Sequence, residues 1–125
     1  MVISEGAFVA DLRDGLAKLG NKHFDFVTGP GRSGAIASVY VSHMLHIPFL
    51  PYGQHPVGQW SVLIVDTARN TGKTLRKACK KYDTEDCLFV YDEPPRVRFW
   101  YEIMVNLKNL QRLDLSQGAF GRALL

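Results

Sequence analysis

Val62-Leu63-Ile64-Val65-Asp66-Thr67-Ala68-Arg69-Asn70-Thr71-Gly72-Lys73-Thr74-Leu75 is the stretch whose reading decides the fold. From Ser61 to Val65 the residues are uncharged and mostly β-branched, as in a strand buried on both faces. Such a strand delivers one acid, Asp66, to the edge of its sheet, where a carboxylate can reach sugar hydroxyls or a metal ion. Small and polar residues follow, and the pattern predicts a helix from about Gly72 to Lys81. Backbone N–H groups in a turn of this kind point inward, and the helix N-terminus favours negative charge, so the loop suits a phosphate. Thr71 and Thr74 add hydroxyl donors, and Gly72 lets the backbone approach closely.

Outward from this segment the chain alternates between strand and helix. Phe24 to Val27 is a short apolar strand that ends in Thr28-Gly29-Pro30-Gly31, which cannot continue it. From Gly34 to Leu45 nearly every residue is small or apolar, which suits a helix buried against a sheet. Ile47 to Leu50 reads as a second strand, Tyr52 to Gln59 as a loop, Leu88 to Tyr91 as a fourth strand and Val97 to Met104 as a fifth. Ahead of them, Phe8, Val9, Leu12, Leu16 and Leu19 recur at helical spacing, with Gly20 placed to terminate the helix. In the tail, Leu107, Leu110 and Leu113 share a helical face. Apolar strands joined by helices predict a three-layer α/β fold with a parallel sheet, whose ligands bind at the carboxyl ends of its strands. Both glycine-bearing loops lie at those ends.

The composition is ordinary for a globular protein, 46% hydrophobic and 22% charged over 125 residues, and predicts a single domain spanning 1–125. A net charge of +3 suits an anionic ligand without implying nucleic acid. Lys73, Arg76, Lys77, Lys80 and Lys81 read as a solvated helix face, so nucleic acid is not an expected partner. Cys79 and Cys87, without a CxxC spacing, read as core residues. Glu5, Asp11 and Asp14 are unlike a signal or transit peptide, and no apolar run approaches the ~20 residues that span a bilayer. The expected setting is cytoplasmic, with no membrane partner.

Two kinds of phosphate loop compete for the central segment. Thr67 to Thr74 matches the P-loop pattern GxxxxGK[ST] except that Thr67 replaces the first glycine, which the turn needs, and two strands precede it here. The segment more closely resembles the fingerprint of type I phosphoribosyltransferases: four apolar residues, acids, then a short loop ending in TG-x-T. Val62 to Asp66 and Thr71-Gly72-Lys73-Thr74-Leu75 carry the likeness, and the TGKTL ending is most similar to the hypoxanthine-guanine branch. A second match lies in register. Gly29-Pro30-Gly31-Arg32-Ser33-Gly34 resembles the family's pyrophosphate loop, and Leu45-His46-Ile47-Pro48-Phe49 its entry into the second strand.

The resemblance implies a phosphoribosyltransferase-like core with a reduced hood and a short lid. It also implies Mg²⁺-assisted transfer of ribose 5-phosphate from phosphoribosyl pyrophosphate (PRPP) to a nucleobase, a purine being favoured, with release of pyrophosphate. In that scheme Asp66 holds the ribose hydroxyls or the metal, and Asp66, Asn70 and Arg32 are the catalytic candidates. Ala68, Arg69, Asn70, Thr71, Gly72, Lys73 and Thr74 cradle the 5-phosphate, and Gly31, Arg32, Ser33 and Gly34 the pyrophosphate. Tyr91, Phe99 and Trp100 are the candidate base-stacking rings. Family members often dimerise, so a homodimer is a possible assembly.

Three departures from the family pattern motivate the alternative of a non-catalytic binder of PRPP or a nucleotide. Thr67 stands where the second acid is usual. Asn70 replaces the aspartate before TG-x-T, and an amide cannot take a proton as a carboxylate does. The connection Tyr52 to Trp60 is short and holds no Lys or Arg, leaving His55 to stand in for the lid's cation.

Overall fold

A computed structural model describes residues 2–103. Its elements run β1 (Val2–Ile3), α1 (Glu5–Lys18), β2 (Phe26–Thr28), α2 (Gly31–Leu45), β3 (Val62–Arg69), α3 (Lys73–Lys81), β4 (Cys87–Asp92), β5 (Arg98–Phe99) and α4 (Trp100–Ile103). The expectations for Met104 to Leu125 lie outside the described residues.

β2, β3 and β4 form a parallel sheet in that order, with Val27 beside Leu63 and Val65 beside Leu88. Alternation along β3 sends Leu63 and Val65 to one face, where they meet Phe8, Leu12, Ala37 and Val41 of α1 and α2. Val62 and Ile64 face the other way onto Leu75 and Ala78 of α3. Helices thus cover both faces of the sheet, and the fold is the predicted three-layer α/β arrangement.

The chain returns from α2 to the outer side of β2, where Phe49 bridges Val27 in parallel. From β3, by contrast, α3 leads to β4 on the opposite side. The direction of winding therefore reverses between β2 and β3. Ligands of open α/β sheets bind outside the strand ends at such a reversal. Here that crevice is flanked by Thr28 and Gly29 on one side and Asp66 on the other.

Three local expectations are corrected. Ile47 to Leu50 forms one bridge, not a strand: Val27 donates to the Pro48 carbonyl and Leu50 to that of Val27, but Pro48 has no N–H with which to extend the ladder. The strand expected over Val97–Met104 shortens to Arg98–Phe99, paired with β1, before the chain turns into α4. Glu102 drives that turn by reaching back to accept the Phe99 N–H at 3.1 Å, half of a capping box. Finally, both cysteines are free thiols, and while Cys79 is half-buried against the core as expected, Cys87 is exposed at the start of β4. At the other terminus Ser4 caps α1 by accepting from the Ala7 N–H at 3.1 Å, which starts the helix before the apolar periodicity becomes visible.

Candidate active site

β3 is longer than its apolar run. Its pairing with β4 continues through Ala68–Tyr91 and Arg69–Asp92, so Asp66 sits within the strand with Thr67, Ala68 and Arg69 still extended beyond it. The turn that follows is made by Asn70, Thr71 and Gly72. Gly72, at φ +82° in the left-handed region, is the N-cap of α3, and a side chain there would also press on Arg76. Thr71 Oγ1 accepts from the Lys73 N–H at 3.3 Å, and Arg76 reaches back to the Thr71 carbonyl at 3.0 Å. The turn is thereby fixed with the first N–H groups of α3 facing a cleft of about 200 Å³. Asp66 and the whole run Ala68 to Leu75 line this cleft, with Glu93 opposite. Every residue expected at the 5-phosphate is therefore brought together. Arg69 is held by Asp92 at 3.0 Å and lies over the Phe89 ring at 4.0 Å.

A second cleft of about 220 Å³ adjoins the first across Asp66, Ala68 and Glu93. Ser33, Thr67, Arg96, Val97, Phe99 and Glu102 complete its lining. Asp66 stands between the two. One of its oxygens accepts the Thr67 N–H at 2.7 Å, yet burial raises its pKa from the ordinary 3.8 to about 6. The Thr67 bond opposes that rise and the charge of Glu93 adds to it. At neutral pH the group is mostly ionised but poised near its titration.

α2 begins three residues earlier than its apolar pattern suggests, so Gly31 to Gly34 are its first turn. Gly29 fits so closely that a Cβ there would lie 2.2 Å from the Val65 carbonyl oxygen and 2.3 Å from that of Gly34. This contact presses the start of α2 against β3. Ser33 lines the second cleft and bonds the Tyr101 hydroxyl at 2.6 Å. Burial raises the Tyr101 phenol's pKa, while its bonds to Ser33 and Thr67 work the other way. Arg32 is exposed and lines neither cleft.

Of the three candidate base-stacking rings, Phe99 alone lines the second cleft. Phe99 is 3% exposed, with Tyr101 stacked parallel to it at 5.5 Å and Phe8 against its edge. Trp100 packs on Phe8 and Tyr40. Tyr91 turns toward α1, where its hydroxyl donates to Asp11 at 2.6 Å. All three rings also pack in or against the core, and Phe99 does so while bordering the cleft. The lid expectation changes too: the 52–60 connection is fastened to Tyr82, whose hydroxyl accepts the Gly53 N–H and donates to the Gln54 carbonyl. His55 stacks on the same ring at 4.6 Å. It lies beside Val62, at the opposite end of β3 from Asp66.

Reading the sequence missed Glu93 and Arg96. A signal for the first was present, since Pro94-Pro95 must end β4 at the ligand-binding edge and leaves Glu93 there.

No family model matches this sequence, and no curated protein matches it. Solved structures do. A xanthine-guanine-hypoxanthine phosphoribosyltransferase from Helicobacter pylori superposes with a TM-score of 0.68 at 14% identity, covering 89% of this chain and 96% of that one. A purine phosphoribosyltransferase from Pyrococcus horikoshii gives 0.64 at 21%, covering 81% and 92%. A Neisseria gonorrhoeae protein solved with bound ppGpp gives 0.62 at 13%, covering 94% and 98%. With the winding reversal and the strand-to-helix turns at its edge, these likenesses establish that the chain has the fold of the type I phosphoribosyltransferases.

Proposed function

We infer that the protein binds PRPP and transfers its ribose 5-phosphate group to a nucleobase, a purine being favoured, with release of pyrophosphate. The observation that carries this reading is the Asp66–Leu75 cleft: a carboxylate at one end and the N-terminus of a nine-residue helix at the other. The 5-phosphate sits on the N–H groups of residues 70–74, where the helix dipole favours its charge. The open oxygen of Asp66 accepts from a ribose hydroxyl and fixes the sugar between the clefts. The first turn of α2 offers its N–H groups, with Arg32 and Ser33, to the pyrophosphate. Transfer breaks the bond from C1 to the diphosphate oxygen and forms one from C1 to a base nitrogen, whose proton leaves to solvent. Asn70 holds the base or the ribose by hydrogen bonds and takes no proton.

Mg²⁺ fits this donor set. It is commonly held by one or two carboxylates together with substrate phosphates and water. Asp66 offers one such oxygen, and the described residues hold no cluster of three or more metal-ligating side chains that would bind the ion alone. Asp66 would hold the ion together with the diphosphate, and the ion would supply neutralisation of the diphosphate charge there.

A second reading, a nucleotide binder without turnover, has its own support. Thr67 is 3% exposed and carries no carboxylate, and the 52–60 connection is fastened away from the clefts. The Neisseria protein with bound ppGpp is an example of a nucleotide-bound neighbour of this fold.

Calorimetric titration with PRPP, with and without Mg²⁺, tests the common core of both readings. Micromolar binding is expected, weakened about tenfold or more by Asp66→Asn and by Thr74→Ala. Absence of PRPP binding by a folded sample overturns the transferase reading, and absence of GMP and AMP binding as well overturns the second. Pyrophosphate release across a panel of nucleobases then separates them, because turnover with any base rules out the pure binder.

A further inference from the structure

The functional reading gives Glu93 no role with the phosphate or ribose, yet it lines both clefts. It is also held firmly. Its N–H donates to the Arg69 carbonyl at 2.7 Å, and its Oε2 accepts the Val97 N–H at 2.8 Å. Oε1 has no hydrogen-bond partner among the described residues.

Of the other charges of the second cleft, Arg96 lies largely exposed at its rim. Arg96 pairs with Glu102 Oε2 at 3.4 Å, and Glu102 Oε1 takes the Phe99 N–H. Asp66 is near enough to Glu93 for the two charges to repel. The free hydrogen-bonding capacity facing this space is therefore acceptor-rich. The Glu93 carboxylate itself offers a diphosphate no donor, whereas a neutral ring edge with N–H donors meets an acceptor fixed before the ligand arrives. An ionised carboxylate can only accept, so it favours an amine and disfavours a carbonyl at the same position.

The geometry points to Glu93 as the residue that selects the base, by accepting hydrogen bonds from an exocyclic amine of an amino-bearing purine. This rests on the functional reading above, which fixes the ribose between the two clefts, and it places the base of a bound nucleotide in the second. The favoured class is guanine, with its amine at C2, or adenine, with its amine at C6. Hypoxanthine (a carbonyl at C6, hydrogen at C2) and xanthine (carbonyls at both) have no exocyclic amine and are disfavoured.

The test is calorimetric titration of the full chain, Glu93→Gln and Glu93→Lys with GMP, AMP, IMP and PRPP, with circular dichroism confirming that each is folded. PRPP carries no base and so reports the phosphate and ribose site separately. GMP or AMP is expected to bind about tenfold tighter than IMP, as good base-edge pairs discriminate. Glu93→Gln, with one donor and one acceptor, should reduce that preference to roughly threefold or less, and Glu93→Lys should turn it toward IMP. If IMP binds as tightly as both amino nucleotides, or the preference survives in Glu93→Gln, the assignment fails while PRPP binding leaves the underlying site intact. Should PRPP itself not bind, the functional reading falls and takes the assignment with it.

Discussion

Asp66 is held in an environment that favours its neutral form, which has a measurable thermodynamic consequence. Its pKa is about 6 in the folded chain against an ordinary 3.8, chiefly through burial. Between those values the folded state binds more protons than the unfolded one, so this group's contribution to stability falls as pH rises from about 4 to 6. Above that window the folded protein carries the full penalty, and below it none. Asp66→Asn removes the ionisation while keeping the shape. The variant should be more stable than the parent near neutral pH by roughly 1–3 kcal/mol, with the gain shrinking to almost nothing near pH 4. Urea titrations of both proteins across that range check it, and a gain independent of pH would point to something other than the carboxylate charge. The same substitution should abolish most PRPP affinity, the familiar opposition between stability and function. Asp66 was legible in the sequence because a buried strand ran directly into it. Its partner Glu93 was not, because nothing in a one-dimensional reading shows that the ends of β3 and β4 face one cleft.

Elements were legible in proportion to how strongly burial patterned them. β3 is enclosed on both faces, so its apolar run announced it, whereas its last residues are extended only through pairing with β4. β1 and β5 have two residues each, too short for any period, and exist because each completes the other. Helix starts were displaced because caps are set by local hydrogen bonds, not by apolar spacing: Ser4 opens α1 before Phe8, and α2 begins at Gly31 where the small-residue pattern begins at Gly34. The aromatic run 99–101 could not be divided between core and cleft for a related reason. Rings near a ligand edge and rings closing a core look alike in sequence, and here Glu102 turns the chain so that Phe99 and Trp100 point inward. The close contact of β2–α2 with β3 is testable as an element. Gly29→Ala would put a methyl into two backbone carbonyl oxygens that cannot move independently, and should cost about 3 kcal/mol. Gly6→Ala, with open space around its Cα in α1, should be neutral or stabilising by up to about 1 kcal/mol. Equal effects of the two in thermal melts would mean that the Gly29 approach is not a constraint.

For the molecule as a whole, the reversal of winding between β2 and β3 brings two independent helix N-termini to one edge of the sheet. Neither turn alone distinguishes PRPP from any small phosphate. Together they match a ligand with anionic groups at both ends of a sugar, the α3 turn taking the 5-phosphate and the α2 turn the diphosphate on the proposed reading. A nucleoside monophosphate carries only the first of these groups. Arg32, exposed in the first turn of α2 and outside both clefts, can therefore matter only to a ligand that extends over that turn. Arg32→Ala should weaken PRPP about tenfold, the scale of a hydrogen bond to a charged group, and leave GMP binding within about twofold. Raising the salt should narrow the PRPP difference, since an exposed arginine is screened. Parallel titrations of the two ligands decide the matter. Equal losses for PRPP and GMP would place Arg32 at the phosphate end or in the fold's stability, and no loss for either would leave the α2 turn to bind through its backbone alone.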